Sequence, residues 1–219
     1  MGFDIMINFN LPYFATNPKD FWRRWHISFS TWLRDYLYIP LGGSRNGALM
    51  TYRNLALTMF LGGLWHGAAW TFFLWGAYQG ILLIIHRLLE PFLLKIPSPS
   101  NLYIKKMWLF VRILFFFHLV CFGWLFFRAQ SISQISEMIK SLFFNFQVAG
   151  SSGLMENFQY LIFFTGLLII IQLIQYIKND LMFISRSNSF VKAAFYYICL
   201  ISMFFFAPEQ AKQFIYFQF

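Results

Sequence analysis

Four histidines, at positions 26, 66, 86 and 118, are the residues of this chain best suited to moving protons near neutral pH. His66 stands apart by its setting, "FLGGLWHGAAW" over residues 60–70. No Lys, Arg, Asp or Glu occurs from Asn54 to Ile85, and a titratable ring in such a run needs a reason to be there. Gly62, Gly63, Gly67, Ala68 and Ala69 surround it, small residues that let backbone or substrate come close. Trp65 and Trp70 add rigid bulk on either side. In a dry pocket of this kind desolvation keeps imidazole neutral. A neutral ring can take the proton of a substrate hydroxyl. A histidine that only packs between helices would have the same neighbours, so the residues alone leave both readings open.

The other three histidines have plainer settings. His86 ends an apolar run beside Arg87, at headgroup level. His118, in "FFFHLVCF", reads as a hydrogen bonder between helices. His26 lies on the flank of an amphipathic segment, roughly 70° from the centre of its apolar face at 100° per residue, and beside Arg23 and Arg24 it reads as an interfacial residue. Other chemistries lack their residues. The sequence has no phosphate-binding glycine loop, no G-x-S-x-G nucleophile elbow and no zinc-ligand spacing. Cys121 and Cys199 both sit in apolar runs and read as small core residues.

Elements that could position these rings must be membrane helices. The chain is 59% hydrophobic and 11% charged, with 31 Phe in 219 residues, where a soluble domain is about a quarter charged. The net charge of +9 does not point to nucleic acid, because the basic residues lie between apolar runs, as in loops flanking membrane spans. The expected fold is all-α and polytopic, a single membrane domain over residues 1–219 with an N-terminal amphipathic or re-entrant helix. That helix is predicted over residues 17–40. Asn17 is its N-cap, Pro18 its first residue and Asp20 its capping acid. Trp22, Trp25, Phe29, Trp32, Leu33 and Tyr36 form one apolar face. Residues 54–85 are too long for one span and short for two at about 20 residues each. They predict a broken pair: a short helix over 54–65, a break at His66 and a span over 69–85. Pro91, Pro97 and Pro99 should prevent a long helix after it. Further spans are expected near 108–127, 158–177 and 192–207. Lys and Arg counts favour cytoplasmic loops at 87–106 and 178–192.

The stretches "NFNLPYFATNPKDFWRRWHISFSTWLRDYLYIPLGGSRNG", "RNLALTMFLGGLWHGAAWTFFLWGAYQGILLIIHR" and "FGWLFFRAQSISQ", with the terminal "FIYFQF", resemble the membrane-bound O-acyltransferase family. The similarity is to its bacterial branch, which acts in alginate O-acetylation and teichoic acid D-alanylation. It implies transfer of an acyl group, acetyl in particular, to a hydroxyl of an exported cell-envelope polysaccharide such as alginate. It implies His66 as the catalytic base and His26 as the second, supporting or donor-side position. It further implies no bound cofactor, with acetyl-CoA or a protein-borne acyl group as co-substrate. The implied location is the inner (plasma) membrane, multi-pass. The implied partners are the lipid bilayer, the acyl donor, the polysaccharide acceptor, and partner acetylation proteins or a separate N-terminal half. Family members carry further spans before "NFNLPYF", so the expectation is that this chain is a C-terminal half. The alternatives are an inactive remnant of a split gene and a non-enzymatic transporter or channel component.

Overall fold

The computed structural model describes residues 5–97, 99–144 and 151–206; the terminal "FIYFQF" and residue 207 lie outside them. The described residues are all-α, with no strand. The chain divides into two units, residues 1–147 and 148–219, described separately here. In the first, α1 (Pro18–Arg24), α2 (Ile27–Leu33) and a π turn (Arg34–Tyr38) precede α3 (Gly47–Leu64), α4 (Trp70–Leu93), α5 (Leu102–Arg128) and α6 (Ile132–Phe143). The second holds α7 (Ser151–Lys178), α8 (Phe183–Arg186) and α9 (Ser189–Phe206). Helices α4 and α5 are long and apolar enough to cross a membrane, and α7, bent by 46° near residue 164, is a third if taken as one broken span. Outward residues of α5 such as Phe110 and Phe115 are more than half exposed, which suits contact with lipid.

The start of α1 follows its sequence signal. The Asn17 side chain accepts from the Asp20 backbone N–H at 2.8 Å, Pro18 opens the helix, and Asp20 holds Arg24 at 2.7 Å. The amphipathic segment is not one helix, however. It breaks at Trp25–His26, where His26 takes a left-handed backbone conformation. Helix α3 begins at Gly47, well before the short helix expected from Asn54. Helix α4 runs through Pro91 and ends two residues later, because a proline near a helix end forfeits only one hydrogen bond. Between the spans expected near 108–127 and 158–177 lies α6, which starts with Ser131 accepting from the Gln134 N–H.

Helices α3 and α4 pack backbone to backbone. A Cβ on Gly63 would press into the Phe72 carbonyl and come within 3.0 Å of the Gly76 Cα. One on Gly76 would strike the Met59 carbonyl, and Gly80, one turn on, faces Met59 and Ala56. Helix α5 lies on α4 through Gly123, beside Gln79 and Tyr78, and the Tyr78 hydroxyl donates to the Leu119 carbonyl at 2.8 Å. Ala15, Phe21, Phe116 and Val120 form a buried core that joins α1 and the N-terminal segment to α5. The loop before α3 is tied by Asn54, fully buried, whose Nδ2 donates to the Leu41 and Gly43 carbonyls. Overpacking of this kind costs about 1–3 kcal/mol, so Gly76→Val should lower the thermal unfolding midpoint clearly. Gly166→Ala, at a site with only ordinary contacts, should not. Equal midpoints would remove the crossing from its structural role.

Candidate active site

The break between α1 and α2 is built by the N-terminal segment. The Ile27 N–H donates to the Asn8 carbonyl at 2.9 Å, and the Ser28 N–H and hydroxyl both donate to Asn8 Oδ1 at 3.0 Å. The Asn10 N–H reaches the Arg24 carbonyl at 2.8 Å. Asn8 therefore serves the orphan donors at the start of α2, and His26, at the N-cap position, makes no capping bond with its side chain. Its backbone sits at φ 45°, ψ 55°, a conformation that costs a non-glycine residue about 1–2 kcal/mol. The neighbouring rings fix that geometry: Trp25 stacks on Phe21 at 5.7 Å and meets Phe9 edge-on at 4.9 Å.

His66 lies in the break between α3 and α4, outside both helices, and is 9% exposed. Its ring meets Trp65 at 4.9 Å, Phe127 at 5.0 Å, Trp75 at 5.3 Å and Phe72 at 6.1 Å, so α4 and α5 both wall it. The small residues around it do not form an open collar. A Cβ on Gly67 would lie 2.8 Å from the Phe72 ring, and one on Gly62 would lie 2.9 Å from Leu33. The glycines admit neighbouring helices rather than an empty approach path. This differs from the simplest reading of the sequence.

His26 and His66, 40 positions apart in sequence, are brought to the same aromatic cluster. Phe29 and Trp65 meet both rings, at 5.2 and 6.1 Å from the His26 ring and 6.2 and 4.9 Å from the His66 ring. Burial pushes both rings below the ordinary imidazole pKa, and for His66 the charge of His26 is a second cause in the same direction. Both are neutral at pH 7 in consequence. The buried Nδ1 of His26 finds no hydrogen-bond partner outside its own residue, and the buried indole N–H groups of Trp22 and Trp75 have no acceptor among the described residues. Unpaired polar atoms inside a protein mark a strained or functional place. His118 is elsewhere: its Nδ1 lies 2.7 Å from the Leu114 carbonyl of its own helix, so it does not bridge two helices. His86 faces a separate cleft. Among the described residues no three His, Cys, Asp or Glu side chains converge as metal ligands would.

Sequence reasoning missed Asn8, Phe29 and Phe127. Asn8 carries no chemical signal of its own. Phe29 is visible in the sequence only as one ring of the apolar face, and Phe127 belongs to a phenylalanine-rich run in which no single ring is distinguishable.

A polytopic all-α membrane protein that holds one buried and one half-buried imidazole within one aromatic cluster is the class that fold and site define. The membrane-bound O-acyltransferase family matches residues 1–127, and the chain belongs to that family. It is 49% identical over 143 residues to a probable alginate O-acetylase AlgI of Azotobacter vinelandii, covering 65% of this chain and 27% of that protein. It is 43% identical over 136 residues to a peptidoglycan O-acetyltransferase of Helicobacter pylori, covering 62% and 24%. It is 33% identical over 138 residues to a teichoic acid D-alanyltransferase of Bacillus subtilis, covering 59% and 34%. The chain thus spans about a quarter to a third of the length of these relatives.

The left-handed backbone at position 26 gives a direct test. Asn tolerates this conformation and Val does not. His26→Asn should keep the unfolding midpoint near that of the unaltered chain, whereas His26→Val should cost about 1–2 kcal/mol more. Equal midpoints for the two would mean the break does not depend on that geometry. Asn8→Ala should cost about 1 kcal/mol as the loss of a cap, read in the same thermal experiment.

Proposed function

We propose that this chain carries the reaction centre of a membrane O-acyltransferase that moves an acetyl group onto a hydroxyl of an exported cell-envelope polysaccharide. The observation that carries the reading is the pair of histidines gathered around Phe29 and Trp65, His66 buried and His26 half-buried. In the proposed reaction a neutral ring nitrogen of His66 accepts the proton of the acceptor hydroxyl. The oxygen attacks the acyl carbon, the new C–O bond forms, and the bond to the leaving group breaks. The proton then passes to the leaving group. His26 stands on the donor side and supports that transfer. The donor is an activated acyl group, carried by coenzyme A or by a protein. Among acceptors, alginate fits best, because proteins named as probable alginate O-acetylases are 46–50% identical to this chain, against 43% and 33% for the peptidoglycan and teichoic acid enzymes above. The protein sits in the inner membrane and crosses it several times. Its work draws on companion acetylation proteins and on the further segments that the longer relatives carry, of whose length this chain spans about a quarter to a third.

The test is O-acetyl content of isolated envelope polymers from cells that express the chain with and without those additional segments. His66→Ala should lower acetylation by about 10²–10⁴-fold at unchanged protein level, and acetylation at the wild-type rate would sink the proposal. The pH profile is a second check. Because burial lowers the His66 pKa from the ordinary 6.5, the neutral base persists below that value. The acidic limb of the activity should therefore fall below pH 6.5. A limb at or above pH 6.5 would show a base with an unshifted or raised pKa.

A further inference from the structure

A cleft of about 560 Å³ opens between α1, α2, α3 and α4. Its mouth carries Lys19, Arg23, Arg34 and Arg87, with a single carboxylate, Glu90. Glu90 is already engaged by Lys19 at 3.1 Å, and Arg34 is held by its neighbour Asp35 at 2.7 Å. Arg23 and Arg87 are left with no carboxylate at ion-pair distance among the described residues. The charge count of the cleft favours an anion, with the guanidinium groups of Arg23 and Arg87 in no ion pair, although Arg87 acts on Glu90 at longer range. A guanidinium matches the paired oxygens of a phosphate better than an ammonium does. The hydroxyl of Thr31 lines the same cleft. Deeper in, the lining turns apolar, with Trp22, Leu33 and Met59. Trp22 meets Trp75 at 6.1 Å, and Trp75 meets His66 at 5.3 Å, so the inner wall stands two rings from the proposed base.

We propose that this cleft is an organophosphate site, with Arg23 and Arg87 clamping the phosphate and the organic part running along Trp22. The shared chemistry has two sources, the phosphate of a thioester-carrying donor such as coenzyme A and the headgroup of an anionic phospholipid. The donor source rests on the acyl-transfer reading above; the lipid source does not.

The test uses the chain in nanodiscs of neutral phosphatidylcholine. Coenzyme A is titrated as the soluble probe, and nanodiscs doped with phosphatidylglycerol, read by native mass spectrometry, supply the lipid probe. The Arg23→Gln/Arg87→Gln pair is compared with Lys105→Gln/Lys106→Gln, which removes the same charge outside the cleft. The expected result is a loss of about tenfold or more in affinity for one probe with the arginine pair and little change with the lysine pair. Loss of coenzyme A binding assigns the donor as occupant, and loss of retained phosphatidylglycerol assigns lipid. Equal effects of the two pairs, or no effect on either probe, overturn the site. Both substitutions are at exposed positions and matched thermal midpoints show that the fold is intact. His66→Ala should bind both probes as the unaltered chain does. Intact probe binding with unchanged acetylation in that variant would therefore sink the acyl-transfer reading and leave the cleft standing. Lost selectivity for the arginines would do the reverse.

Discussion

The backbone contact between Gly63 and Gly76 is the constraint on which the rest of the first unit depends. Helices in hydrocarbon gain nothing from burying apolar area against one another, because lipid is as apolar as leucine. They associate through close packing, and glycine allows the closest packing. Gly63 and Gly76 bring α3 and α4 to backbone distance, and Gly80 continues the seam toward Met59 and Ala56. That seam directs the α3–α4 break, and His66 within it, toward the ring of Phe127 on α5. Charge contributes little here. The Lys19–Glu90 pair joining α1 to the end of α4 is half exposed, and such pairs are worth about 0–1 kcal/mol.

The second half of the site depends on a division of labour at the start of α2. A helix start needs acceptors for its free N–H groups, and an N-cap side chain commonly provides them. Here Asn8 does so from the N-terminal segment, with its carbonyl and its side chain together. The residue at the N-cap position is thereby released from that task, and its ring joins the cluster around Phe29 and Trp65 instead. The left-handed backbone at His26 is held by stacked neighbours on both sides of it, Trp25 on Phe21 among them. Strain maintained in this way belongs to a place where geometry matters more than local stability.

The helical class and its main apolar runs were legible because hydrophobic length is a strong signal. So was the cap of α1, since Asn17, Pro18 and Asp20 act locally. The break at His26 was not legible. The aromatic residues from Trp22 to Tyr36 keep helical spacing on paper, while the interruption comes from Asn8, whose contacts with Ile27 and Ser28 span 19 and 20 positions. The glycines near His66 permit close approach of either backbone or substrate as far as the sequence goes, and their contacts with Phe72 and Leu33 exist only in the folded chain. The "GAYQG" of α4 did carry a readable sign of that contact, two glycines four apart in an apolar helix. Helix α6 was hidden by its mixed composition, since "ISQISEMIKSLF" is too polar to register as a span.

Enclosing two imidazoles in one aromatic cluster has a consequence for how many protons the site holds. Two like charges in one cluster of low dielectric repel, and the charge of His26 lowers the His66 pKa. Desolvation acts on each ring in the same direction. The doubly protonated state is therefore disfavoured twice over, and a proton taken up by one ring makes the other a worse base. In the proposed reaction this is the useful arrangement. One proton leaves the acceptor hydroxyl and one reaches the leaving group, so a site that holds a single proton at a time returns to its starting state after each turnover. A soluble active site could discharge an extra proton to water. The aromatic walls around His66, 9% exposed, narrow that route, and the second ring of the cluster gains weight as a place for the proton.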